Sequence, residues 1–157
     1  MLIIRKLCIS LLVLLLPVAG VAQNLSPDDL TETQKRMLKA SDGYALNTAT
    51  ELLEPQDALR LVLVARQYAA GHSCEALEID YDKYNTVMQS VVEQLSALTE
   101  GGDNNLPVDA VMAAFSTSLG GHLAAAAYDL DTYCETATAL RETFRSGELA
   151  ERVLILK

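Results

Sequence analysis

From Tyr81 to Leu98 the apolar residues Tyr81, Tyr84, Val87, Met88, Val91, Val92, Leu95 and Leu98 recur at steps of three and four, with polar residues between them. That period belongs to one stripe of an α-helix and fits no strand, whose side chains alternate every second residue. Glu100 to Asn105, with Gly101-Gly102 inside it, stops the pattern as a loop. The rest of the chain follows the same rule. Pro55-Gln56-Asp57 opens a helix, since proline suits a first helical position, and the apolar run beyond it is predicted to end at Gly71. Four branched apolar residues in that run, Leu61 to Val64, are also compatible with a strand, but the Pro-to-Gly span has a helix's length. Ser26-Pro27-Asp28-Asp29 carries helix-start chemistry for a first helix that Gly43 ends or bends, with Tyr44 to Leu53 as a second piece. Pro107 starts a helix that Gly120-Gly121 interrupts, and Leu130, Tyr133, Cys134, Ala137, Leu140 and Phe144 mark a final stripe. No series of strands separated by turns is present, so the fold class expected is all-α: a small bundle of about five helices.

The amino terminus reads differently. Arg5-Lys6, the apolar run Leu7 to Leu16 and the small residues Gly20 and Ala22 form the three parts of a secretory signal. A membrane span needs about 20 apolar residues, and this run is shorter and contains Pro17. The expected division is a cleaved signal peptide over 1–22 and a single helical domain over 23–157, periplasmic or secreted, with no membrane anchor left after cleavage. Cleavage removes Cys8 and leaves Cys74 and Cys134, which an oxidising compartment joins as one disulfide.

Charge narrows the partners. The chain has 12 Lys and Arg against 21 Asp and Glu, a formal −9, and losing the signal removes only cations. Nucleic acid is excluded as a partner of any basic face, and a protein with a basic surface is favoured. Catalytic patterns are missing. Two histidines, His72 and His122, and two remaining cysteines do not make a zinc site. Asp80-Tyr81-Asp82 and Asp129-Leu130-Asp131 lack the further ligands and turn glycine of a calcium loop and read as helix caps. Ser118 and His122 fall one helical turn apart, but without an elbow of the Gly-x-Ser-x-Gly type. No cofactor motif and no phosphate loop occur, and the expected class is not an enzyme.

Two features suit binding. Val153, Leu154, Ile155 and Leu156 form an apolar tail able to dock on a partner as a short strand or helical turn. His122 beside Gly120 and Gly121 marks a possible pocket, because glycines let a ligand or another backbone come close. The function expected is an exported protein-binding domain acting by stoichiometric association. The alternatives are a stress chaperone opened by acid, a toxin-neutralising immunity protein and a small-ligand carrier.

Overall fold

The computed structural model describes residues 30–98, 106–147 and 153–157. The expected signal peptide, the Ser26-Pro27 helix start and the Gly101-Gly102 loop lie outside them. Among the described residues there are five helices: α1 (Glu32–Thr50), α2 (Pro55–Ser73), α3 (Tyr81–Leu98), α4 (Leu106–Tyr128) and α5 (Leu130–Arg145). α4 is the hub, packed against each of the other four, with its longest interface along α1.

Local chemistry explains the ends. α1 begins at a capping box: the Gln34 N–H donates to Thr31 Oγ1 at 3.2 Å and the Thr31 N–H donates to Gln34 Oε1 at 3.0 Å. Pro55 stands in the first turn of α2. Asp80 and Asp129 act as caps, their carboxylates accepting from the Lys83 and Thr132 N–H at 3.1 and 3.2 Å.

Three expectations about glycine are corrected. α1 runs through Gly43, which is exposed with open space around it. α2 continues past Gly71 to Ser73; a Cβ at Gly71 would run into the Ile79 side chain, so this glycine admits a neighbour rather than ending a helix. α4 passes unbroken through Gly120-Gly121. A glycine inside a helix costs about 1 kcal/mol relative to alanine, which surrounding contacts readily offset.

The core joins Leu38 of α1, Leu61 and Val64 of α2, Val87, Val91 and Leu95 of α3, Val111 and Phe115 of α4, and Leu140 and Phe144 of α5. Tyr81 and Val92 of the predicted α3 stripe stay exposed. Cys74, the C-cap of α2, is bonded to Cys134 of α5 across a Cα–Cα distance of 5.6 Å. Closing a loop of 60 residues stabilises the fold by about 4 kcal/mol in the chain-entropy account. Such a bond is consistent with an oxidising compartment.

The tail is also corrected. Val153, Leu154, Ile155 and Leu156 are all buried in the chain's own core and do not stand free for a partner. Leu156 forms an antiparallel bridge with Ile79. The Asp80 N–H donates to Ile155 O at 2.7 Å, and the Lys157 N–H donates to Glu78 O at 2.8 Å. Gln67, buried in the middle of α2, clamps the same segment: its Nε2 donates to Val153 O at 2.7 Å and its Oε1 accepts from the Ile155 N–H at 2.9 Å. Extended backbone entering a helical core needs such partners, because unpaired buried amides are costly.

Candidate functional site

The crossing of α1 over α4 sets the geometry around His122. A Cβ on Gly121 would overlap the Ser41 side chain, so the glycine lets α1 pass close. The next residue on each helix, Asp42 and His122, then meet: His122 Nε2 lies 3.2 Å from Asp42 Oδ2. One turn earlier on α4, Ser118 Oγ donates to Asp42 Oδ1 at 2.6 Å. From α5, Tyr133 Oη lies 3.3 Å from His122 Nδ1. Since a carboxylate only accepts, the neutral tautomer that serves both contacts carries its proton on Nε2 and accepts from the Tyr133 hydroxyl at Nδ1. Ser118 and His122 are wholly buried, whereas the Asp42 side chain keeps 29% of its surface exposed.

Arg66 of α2 completes the group as a nearby charge. Burial lowers the Arg66 pKa, with Tyr133 and Asp42 opposing that fall. Burial likewise holds His122 below its ordinary value, against the hydrogen bond and charge of Asp42, while Arg66 adds to the fall. Tyr133 is pushed up, chiefly by burial. The arrangement is a lock. Asp42, Ser118, His122 and Tyr133 spend hydrogen bonds on one another, and the Ser118 proton points to Asp42 rather than to the histidine. Ser118 and His122 therefore do not form the nucleophile–base pair that their spacing allows.

The expected pocket beside Gly120, Gly121 and His122 is corrected as well. Ser41 occupies the space over Gly121, and His122 is sealed among protein groups. Gly120, in contrast, faces open space, with nothing within 4 Å of where its Cβ would be. It belongs to a second feature, which periodicity did not bring out. Ala113, Ser116, Thr117, Gly120, Leu123, Ala124, Ala127 and Tyr128 are all exposed and fall on one side of α4. At 1.5 Å per residue the strip is about 22 Å long, and it bears no charged side chain. Leu130, at the start of α5, extends it with 49% exposure. By length and composition α4 would pass for a membrane span, but its opposite side is core.

No family model, curated protein or solved structure matches this chain. The residues themselves must carry any functional reading.

Sequence reasoning paired Ser118 with His122 but missed Asp42, Arg66 and Tyr133. A single charged residue inside the run Leu61 to Ala70, apolar but for Arg66 and Gln67, was the available signal for Arg66. Gln34 was missed too; it is buried and its Nε2 donates to Ala125 O at 3.0 Å and Asp129 O at 3.1 Å, satisfying carbonyls where α4 gives way to α5.

Proposed function

We propose that this chain is an exported, non-enzymatic helical domain that binds another protein stoichiometrically through the exposed strip of α4. The observation behind this reading is the strip: mostly small or apolar residues, uncharged, on a chain of formal −9. Contiguous exposed apolar surface on a soluble domain marks a contact face. Exposed Asp109 precedes the strip and exposed Asp131 follows it, so the partner that fits brings an apolar or small-residue face bordered by Lys and Arg. A second copy of this chain would set acid against acid. A lipid surface is less favoured, because anionic headgroups repel an acidic chain and Ser116, Thr117 and Gly120 are poor membrane anchors. The disulfide supports export to the periplasm or beyond, where such bonds persist.

The test places a photo-reactive side chain at Leu123 and, as a control, at exposed Glu93 of α3, in the native cells. The expected result is one discrete adduct from position 123 only, lost in Gly120→Arg while the unfolding midpoint does not fall. Association of the purified pair should slow between about 50 and 500 mM salt, where the screening length falls from about 14 to 4 Å. An adduct that survives Gly120→Arg, equal adducts from both positions, or capture of lipid instead of protein would each refute the assignment.

A further inference from the structure

Where the tail enters between α2 and α3, the surface holds a depression of about 200 Å³. Its apolar lining is Val87 of α3 with Val153 and Leu154 of the tail, all three buried. Its polar lining includes Arg60 of α2 and Asp82 and Lys83 of α3. Arg60 Nε is buried without any hydrogen-bond acceptor. Native structures rarely leave a charged donor in that condition, and the side chain that lacks an acceptor is the same Arg60 that lines the cleft.

We propose that this cleft binds a small aliphatic carboxylate, with the carboxylate on Arg60 and Lys83 and a short branched carbon chain over Val87, Val153 and Leu154. The planar fork of arginine matches a carboxylate, and the nearby ammonium adds a second positive charge. Asp82 in the same lining limits the site to a monoanion, since a phosphate dianion would meet its charge at close range. The apolar residues require carbon beside the charge, which inorganic anions do not offer. The volume of about 200 Å³ corresponds to about seven waters at ~30 Å³ each, so the cleft accepts a group of valine size. Two sources carry this chemistry: a free short-chain acid, or the C-terminal residue of a peptide. The cleft shares no residue with the α4 strip, and the two assignments stand or fall separately.

The test titrates the isotope-labelled full chain with isovalerate, N-acetyl-valine, N-acetyl-valinamide, and a short peptide ending in valine with a free or amidated terminus. Methyl signals of Val87, Val153 and Leu154 should shift saturably with the acids. Removing the negative charge, as in the amides, should weaken binding about tenfold or more, the scale of a lost charge-assisted hydrogen bond. Arg60→Gln should produce the same loss and Lys83→Gln a smaller one. Arg60→Met, which removes the unpaired donor while keeping the bulk of the stem, should retain the thermal midpoint and lose binding. Isovalerate binding as tightly as N-acetyl-valine assigns the site to free acids, whereas tighter binding of the free-terminus peptide assigns it to chain ends. The proposal is overturned if no acid gives saturable shifts, if acid and amide bind alike, or if Arg60→Gln and Arg60→Met bind like the unaltered chain.

Discussion

Replacing Gly121 by alanine and, separately, its neighbour Gly120 by alanine sets two chemically identical changes against opposite surroundings. Both residues lie inside α4, so both substitutions gain helix propensity of about 1 kcal/mol. At Gly120 nothing lies within 4 Å of the new methyl, and that gain stands, at about 0.5–1 kcal/mol. At Gly121 the methyl overlaps both Oγ and Cβ of Ser41. Rotating the serine clears only the first, and its hydroxyl is already held by Leu38 O at 3.3 Å. The helices must therefore separate, which costs about 1–3 kcal/mol as overpacking. Separation also stretches the contact made by the adjacent residues, Asp42 with His122 at 3.2 Å, and a hydrogen bond to a charged group contributes about 1.5–3 kcal/mol. The expected net is a loss of about 2–4 kcal/mol for Gly121→Ala. Urea unfolding followed by circular dichroism, with the disulfide kept oxidised, reads both changes from the midpoint. Thermal midpoints should fall by roughly 10 °C for Gly121→Ala and rise by roughly 3 °C for Gly120→Ala. Adding Ser41→Gly to Gly121→Ala should restore part of the loss, a coupling that a double-mutant cycle isolates. Equal effects at the two glycines, or no coupling to Ser41, would refute the close-approach account of this crossing.

Two further outcomes follow from the buried polar groups. Burial holds His122 below its ordinary value, so the unfolded chain takes up the proton first as pH falls; the stability is fully present above about pH 6.5 and is lost as pH drops toward the folded-state value. The urea midpoint should therefore fall more steeply from about pH 7.5 to 5 in the unaltered chain than in His122→Gln, and parallel curves would remove the histidine from the account. Gln67→Leu deletes both clamps on Val153 and Ile155 and leaves a buried carbonyl and a buried N–H unpaired, at about 1–3 kcal/mol each. Hydrogen exchange at the Ile155 amide should speed up well before global unfolding, and unchanged protection there would show that the Ile79–Leu156 bridge holds the tail alone.

The parts of this fold legible in the sequence are those set by one segment at a time. α3 could be placed from Tyr81 to Leu98 because its stripe is unbroken, and α2 could be started at Pro55 because the ring fixes the backbone there. The start of α1 was legible but overlooked. Thr31 and Gln34 have capping-box spacing, while Ser26-Pro27 draws attention by the same chemistry. What could not be read depends on a neighbour distant in sequence. Whether a glycine ends a helix, faces solvent or admits another chain is decided by Ser41 at Gly121, by Ile79 at Gly71 and by nothing at Gly43. Likewise His122 finds its carboxylate 80 residues away. Periodicity tells which side of a helix is buried, but not which buried polar groups will meet. The tail belongs to the same class: four apolar residues suit a partner's groove or the chain's own core equally well. The discriminating residue was Gln67, an amide among buried apolar neighbours that needed extended backbone to hold.

α4 makes the functional argument sharper than its composition does. The packed side of the helix has a reason to be small: Ala114 and Ala125 are fully buried and Gly121 lies under Ser41, so larger side chains there would hold the neighbouring helices away. The outer side has no such reason. Ser116, Gly120, Ala124 and Ala127 meet solvent, where α1 presents Glu32, Arg36 and Lys39 and α3 presents Asp82, Lys83 and Glu93. A solvent-facing glycine in mid-helix gives up about 1 kcal/mol relative to alanine and gains nothing from the isolated fold. Small side chains on an exposed helix face acquire a physical use when a second surface comes close enough to need the room, as Ser41 does on the other side. Gly120→Ala and Gly120→Arg should therefore separate the two demands: the first stabilises the free domain, and the second leaves it folded but blocks whatever lies against the strip.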